Sequence, residues 1–165
     1  MKRTNSSIRI NAELKAFLES GVSVVVGTHD AEFVPEITRA WGLLVSKDRT
    51  SISLCAPLAT SRKTLDNLAD NQQMTVCCSL PTSYKTVQLK GQCTRQTDPN
   101  RADLAVVKRH RQAFGRMNEL VGFPRQRSEI FWQSEVEGSP TLVKLHLVLD
   151  QVFDQTPGPD AGSPL

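Results

Sequence analysis

Cysteines, aromatic residues and long apolar runs are all scarce in this sequence, and each scarcity excludes a class of protein. The four cysteines form no CxxC pair, so they indicate reduced thiols rather than a disulfide framework or a paired-cysteine metal site. The longest apolar run, residues 22–26, is far shorter than the roughly 20 residues that a membrane helix needs. No G-x-S-x-G, P-loop or G-x-G-x-x-G pattern occurs, which argues against hydrolases, nucleoside triphosphatases and dinucleotide enzymes built on those motifs.

Charge and length place the chain among ordinary globular proteins. Twenty Lys and Arg stand against 17 Asp and Glu, and the formal charge of +3 is too small to indicate wholesale nucleic-acid binding. At roughly 100–200 residues per domain, residues 1–165 predict a single domain. The hydrophobic content of 39% is enough for a core without metal or disulfide bonds. Because residues 4–11 lack the apolar stretch of a secretory signal, we expect a cytoplasmic protein without membrane partners.

Short alternating segments predict a fold that is mainly β with flanking helices. Asn11 is the expected cap of a helix that ends near Ser20, with Gly21 as its left-handed C-terminal residue. The other expected elements are strands at 22–28, 34–45 and 50–55, a helix at 61–70, strands at 74–80 and 86–95, a helix at 101–122 and a strand at 141–152. The last strand has a strongly apolar face and would close an antiparallel barrel of about six strands. A Pro/Gly-rich tail at 156–165 resembles low-complexity sequence.

Residues 60–63 are the most informative stretch for function. Thr60 and Ser61 supply hydroxyls, Arg62 and Lys63 supply cations, and a helix start supplies unpaired backbone N–H groups. An arginine fork and a lysine point charge complement a phosphate. The alternative is an ordinary serine-capped helix with a solvated first turn, although cations are unfavourable at that end of the helix dipole.

Arg39 lies in an otherwise apolar strand and therefore needs a partner. One interpretation pairs it with Glu36 or Asp30 at the rim of the sheet. The other brings Arg39 together with Arg62 and Lys63 around one anion, which requires their elements to be neighbours. The second interpretation predicts an anion site made from distant parts of the chain.

Thr86 and Gln88 are two residues apart on one predicted strand, so they face the same side. Their hydroxyl and amide are able to form hydrogen bonds with a heteroaromatic ring. The alternative is that both are ordinary surface residues.

Residues 101–127 concentrate positive charge, with seven Lys or Arg against two acidic residues. Residues 108–111, Lys-Arg-His-Arg, would meet a nucleic-acid backbone or an anionic ligand if they shared an exposed face. The alternative, which we favour, is a solvated helix face without a nucleic-acid partner. The three histidines have no metal-ligand spacing, so no metal site is expected.

The order of these motifs resembles the pyridoxamine 5′-phosphate oxidase-like family of FMN-binding split β-barrels. The resemblance rests on Arg39 in a strand, residues 60–63 opening a helix, residues 68–71 before a strand, and residues 86–91. It covers residues 14–95 well and the last strand loosely. Each motif alone is weak, but their order is fairly specific.

The resemblance implies FMN as the cofactor, a homodimer and two FMN sites at the subunit interface. It implies that Arg39, Ser61, Arg62 and Lys63 hold the flavin phosphate and that strand 86–91 approaches the flavin. The full set of cofactor-binding residues that we expect is Arg39, Ala40, Trp41, Thr60, Ser61, Arg62, Lys63, Thr86 and Gln88.

Two departures from the family bear on activity. Residues 152–159 contain neither Arg nor His, whereas family members that oxidise pyridoxamine phosphate use both types in that segment. Thr86 stands where those oxidases carry a flavin-contacting Gln. We therefore expect an FMN-dependent oxidoreductase with a different small-molecule substrate, in which no catalytic residue stands out. The alternatives are a non-catalytic module that binds flavin, deazaflavin or haem, or a protein that binds nucleic acid through residues 101–127.

Overall fold

The computed structural model describes residues 8–124, 126–127 and 142–165. Its helices are α1 (Ala12–Leu18), α2 (Arg62–Asn71) and α3 (Arg101–Leu120), and a short 3-10 turn (Leu58–Thr60) precedes α2. Its strands are β1 (Ser23–His29), β2 (Pro35–Val45), β3 (Ser51–Pro57), β4 (Gln73–Ser79), β5 (Thr86–Thr97) and β6 (Leu142–Asp154).

The six strands close into an antiparallel barrel in the order β1-β2-β3-β6-β5-β4, with β4 pairing back onto β1. This arrangement confirms the predicted fold of mainly β structure with flanking helices. The strand β6, which follows α3 in the chain, closes the barrel between β3 and β5. Alternating apolar residues such as Val24 and Val26 of β1 are fully buried in the barrel interior. None of the helices in the described residues is long and apolar enough to cross a membrane.

A bulge in β2 changes which side chains face the barrel interior. Ala40 is buried in the main core, whereas Trp41 packs outside the barrel with Cys55 and Val107. The register with β3 then shifts, and Leu43 returns to the interior. Gly42 lies at this shift with a φ of +67°, a conformation that glycine adopts without a steric penalty.

Two buried contacts fix α3 to the outside of the barrel. At its start, Asp103 completes a capping box with Asn100 and also pairs with Lys144 of β6, with 2.6 Å between Nζ and Oδ1. Further along, His110 Nδ1 accepts a hydrogen bond from the Gly42 N–H, and Nε2 donates one to the Val22 carbonyl, each at 2.9 Å. The sequence pattern predicted this helix, but neither of its long-range contacts.

The predicted role of Gly21 is wrong. The helix α1 begins at the predicted cap, where Asn11 Oδ1 accepts from the Leu14 N–H at 2.8 Å, but Glu19 caps its other end. Gly21 is buried, and a Cβ there would lie 2.6 Å from the Ala113 carbonyl oxygen. The glycine is therefore needed because α3 approaches the backbone closely, not because a left-handed residue ends α1.

The Pro/Gly-rich tail packs against the barrel. β3 pairs with β6 only over residues 142–148 of that strand. Beyond this point, the tail folds back: Asp154 N–H donates to the Ser163 carbonyl and Leu165 N–H to the Val152 carbonyl, each at 2.9 Å. The tail thus covers the edge of β6 that β3 leaves open.

Candidate functional site

The helix α2 sits on one mouth of the barrel through buried polar side chains. Ser61, which precedes the helix, is fully buried, and its hydroxyl lies 3.0 Å from the Thr38 hydroxyl of β2. Six residues later, Asn67 Nδ2 donates to Thr28 Oγ1 of β1 at 3.0 Å. The residues before the first turn are therefore fixed to β2, and the second half of the helix is fixed to β1.

The two cations at the start of α2 are exposed but differ in their partners. Lys63 Nζ forms an ion pair with Asp30 Oδ2 at 3.0 Å. The hydrogen bond from Lys63 lowers the pKa of the Asp30 carboxyl below its ordinary value. Arg62 is exposed, and its guanidinium has no ion-pair partner among the described residues. Arg62 is therefore the cation that is free to meet an anion directly.

Arg39 forms its contacts within the described residues with Ser23 and with two aromatic rings, and its convergence with Arg62 and Lys63 on one anion stays a prediction. Its guanidinium donates to Ser23 Oγ at 3.2 Å and lies 5.8 Å from the centroids of the Trp41 and Phe114 rings. Among the described residues, Arg39 forms no ion pair with Glu36 or Asp30, and Asp30 pairs with Lys63 instead.

Arg39 belongs to a row of side chains on the outer face of the barrel. The strand register aligns Arg39 with Val25 of β1, Val25 with Cys77 of β4, and Cys77 with Gln88 of β5. At about 4.8 Å between strands, Arg39 and Gln88 are about 14 Å apart along this row. Two residues from distant segments of the expected site thus share one face.

Thr86 and Gln88 face outward together, as their spacing requires, and both also contact their own chain. Thr86 Oγ1 donates to the Tyr84 carbonyl at 2.9 Å and lies 2.8 Å from Ser79 Oγ. Gln155 Nε2 donates to Gln88 Oε1 at 3.3 Å. The Gln88 amide nitrogen carries no hydrogen bond within the described residues, so it remains available to a ligand.

The other expected residues of β2 and the turn before α2 lie in three different environments. Ala40 is fully buried in the barrel core, so only its backbone is able to approach a ligand. Trp41 is 1% exposed and packs against Phe114 of α3 at a centroid distance of 5.7 Å. Thr60 is exposed next to the start of α2, with its hydroxyl 3.5 Å from that of Thr38.

A groove of about 420 Å³ lies on the same outer face, beside this row. Gly27 lines it, and the register places Gly27 between Ile37 of β2 and Thr75 of β4, one row along from Arg39. His29 lies at the edge of the groove. A hydrogen bond with the Asp30 backbone, and to a lesser extent one with the Gln73 side chain, raises the pKa of its imidazole. The face therefore combines a concave surface with polar groups.

The basic helix is less basic on its surface than its sequence indicates. His110 and Arg111 are buried, and the Arg111 guanidinium lies 5.1 Å from the centroid of the Trp41 ring. Lys108 and Arg109 remain exposed. Residue 125 of the stretch 101–127 lies outside the described residues.

Sequence reasoning missed Thr38 and Thr28, the two strand hydroxyls that hold α2. The available signal was a threonine in an apolar strand segment, which has no specific meaning without the helix above it.

For metals, no group of three or more His, Cys, Asp or Glu side chains gathers in the part of the chain that the structure describes.

Comparison with solved structures identifies the fold. HupZ of Group A Streptococcus superposes with a TM-score of 0.54 at 16% identity, over 93% of this chain and 99% of that chain. A proposed pyridoxamine 5′-phosphate oxidase from Lactobacillus delbrueckii gives 0.52 at 14%, over 93% and 99%. An FMN-binding protein from Syntrophomonas wolfei gives 0.52 at 11%, over 86% of each chain. Neither a protein-family model nor a curated protein matches the sequence.

These likenesses confirm the split β-barrel that the sequence motifs predicted. The chain has the fold found in pyridoxamine 5′-phosphate oxidase-like and FMN-binding proteins. At 11–16% identity, this similarity establishes the architecture.

Proposed function

We propose that this protein binds FMN and acts as an oxidoreductase on a small molecule. The main support is the Thr38–Ser61 hydrogen bond, which fixes the start of α2 to the strand that bears Arg39. Arg62 is exposed there, and a helix start offers backbone N–H groups to an anion. The fold shared with an FMN-binding protein supports the same ligand.

The donor set fits a flavin monophosphate. Arg62, Lys63 and Thr60 would hold the phosphate, with Arg39 contributing from the outer face. Gln88 offers a free amide on that face, and the groove beside it supplies the concave surface that a ring system needs. FMN supplies electron transfer through its isoalloxazine, while the protein binds, orients and shields it.

Flavin titration tests this proposal directly. We expect the purified protein to be yellow or to bind added FMN, and we expect Arg62→Ala with Lys63→Ala to lower FMN affinity by about 100-fold. Lys108→Ala with Arg109→Ala removes the same charge from exposed positions of α3 and serves as the matched control. A colourless protein that takes up no FMN would refute the proposal.

Redox cycling separates an enzyme from a binding module. Reduction of the bound flavin by NADH or NADPH, followed by reoxidation with an added acceptor, supports the oxidoreductase. An inert flavin supports binding alone, and competition with a deazaflavin or haem identifies a different cofactor.

Salt-dependent retention of DNA or RNA that disappears with Lys108→Ala and Arg109→Ala would instead support nucleic-acid binding.

The cofactor is proposed to lie at the interface of a homodimer in the cytoplasm. Ile37, beside Arg39, exposes 69% of its surface on the outer face of the barrel, as expected for a surface that meets a second copy. Sedimentation analysis with and without FMN measures the oligomeric state. A monomer that binds FMN with full affinity would exclude an interface site.

A further inference from the structure

The inner face of α2 is polar where it meets the barrel. Ser61, Thr64 and Asn67 follow one another at intervals of three residues and are each no more than 2% exposed. The strand residues beneath them, Thr38 and Thr28, are also buried. Buried hydroxyls and amides are costly unless paired, so each such bond fixes the helix more specifically than apolar contact would.

Among the described residues, the Thr38–Ser61 hydrogen bond is the only one of these buried bonds at the beginning of α2. The Thr64 hydroxyl is buried without a hydrogen-bond partner there, and the Asn67 bond lies nearly two turns from the helix start. Ser61 makes no side-chain cap on α2, since its hydroxyl lies 3.0 Å from Thr38 instead. Apart from the ion pair of Lys63 with Asp30, the start of α2 therefore depends on Thr38 for its position.

This geometry changes the role expected for Ser61. A fully buried hydroxyl that is already paired with Thr38 is not available to a ligand in solvent. Because Ser61 does not cap the helix, the N–H groups of the first turn remain free of side-chain capping. Ser61 thus orients the anion-binding turn rather than contacting the anion.

Thr38 and Arg39 are consecutive residues on opposite sides of β2. Side chains alternate along a strand, and Thr38 is 5% exposed on the inner side whereas Arg39 is exposed on the outer side. Through Thr38, the helix that carries Arg62 is therefore fixed to the strand that carries Arg39. We infer that Thr38 is a positioning residue for the phosphate group of the flavin, an inference that rests on the function proposed above.

The test compares FMN with riboflavin, which lacks the phosphate. We expect the wild type to prefer FMN, and Thr38→Val to lower FMN affinity by about tenfold with no change for riboflavin. Thr38→Ser restores the hydroxyl and should restore FMN affinity. Thr38→Ala provides a second deletion of the hydroxyl if the valine variant does not fold.

Thr28→Val is the matched control, because it removes the other strand hydroxyl bonded to α2. Thr28→Val should lower the free energy of unfolding as Thr38→Val does, but it should leave the preference for FMN over riboflavin unchanged. Equal losses for both flavins, or equal effects of the two variants on FMN, would show a purely structural role and overturn the inference. So would a wild type that binds both flavins equally well. A wild type that binds neither flavin would refute the proposed function itself.

Discussion

His110 accepts a hydrogen bond from the backbone N–H of Gly42, across 68 residues of chain, and so joins the middle of α3 to the bulge in β2. The same imidazole donates to the Val22 carbonyl, which fixes it as the neutral Nε2–H tautomer. Burial lowers the pKa of His110 to about 4, and the positive charge of Arg111 acts in the same direction.

The His110 contact makes folding sensitive to mild acid. The unfolded chain takes up a proton near pH 6.5 that the folded protein resists until about pH 4, so the free energy of unfolding should fall as the pH drops through that window. The expected loss is roughly 3 kcal/mol at 1.36 kcal/mol per pKa unit. His110→Gln should be less stable at pH 7 by about 2 kcal/mol.

Urea unfolding of both proteins at pH 7, 5.5 and 4 measures this difference. The stability gap between wild type and His110→Gln should narrow as the pH falls. A gap of constant size would show that His110 does not change its proton affinity on folding.

Gly42→Ala should destabilise the protein through both backbone and packing. The φ of +67° is unfavourable for alanine, and the new Cβ would lie 2.8 Å from Val107 Cγ2. We expect a loss of about 2–4 kcal/mol. Gly122 also has a positive φ, +85°, but has nothing within 4 Å, so Gly122→Ala should cost only about 1 kcal/mol. Chemical denaturation compares the two, and similar losses would mean that contact with α3 is unimportant.

Lys144→Met should leave the Asp103 carboxylate as a poorly solvated charge. The pair is largely buried, with 16% and 11% of the two side chains exposed. Burial raises the pKa of Asp103, but the hydrogen bonds from Lys144 and the Asn100 backbone together with the charge of Lys144 outweigh it, and the net shift of the pKa is downward. We expect a loss of about 3 kcal/mol, with partial recovery in the double variant with Asp103→Asn. Additive losses in the double-mutant cycle would contradict direct coupling.

Cys77 should be the thiol that reagents reach first. It is partly exposed in the row between Val25 and Gln88, whereas burial makes Cys78 inaccessible and raises the pKa of Cys55 to about 11. Thiol titration of the native protein should lose its fast phase in Cys77→Ser. If FMN binds on this face, added FMN should slow labelling of Cys77 but not alter labelling in denaturant. Unchanged labelling would place the flavin elsewhere.

Local patterns were sufficient to predict the elements and an antiparallel barrel, but not the pairing of β4 with β1. Alternation marked the strands, Asn11 marked the first helix, and turn residues marked the hairpins, because each of these signals acts over a few residues. The role of Gly21 was misread because the reason for this glycine is non-local. A Cβ at Gly21 would collide with the carbonyl of Ala113, which is 92 positions away in the chain. The tail forms hydrogen bonds with an edge of β6.

The contacts of the candidate site residues were predictable only in part. Arg39 and Gln88 share a face because of the strand register, which the alternation of side chains partly indicated. The partner of Lys63 was not predictable, since Asp30 reaches it only when the β1–β2 turn folds next to α2. Charge alone indicated attraction to an anion, and the fold determined which cation stayed unpaired.

The bulge at Gly42 also divides β2 into two halves of opposite phase. Residues with even numbers, Thr38 and Ala40, point inward before it, and residues with odd numbers, Leu43 and Val45, point inward after it. Removing one residue at the bulge would bring the two halves into one uniform alternation, in which Thr38, Ala40, Leu43 and Val45 would all still point inward. Deletion of Gly42 should therefore keep the barrel interior apolar but remove the backbone N–H that donates to His110, so the extra residue is needed for the attachment of α3 and not for the core.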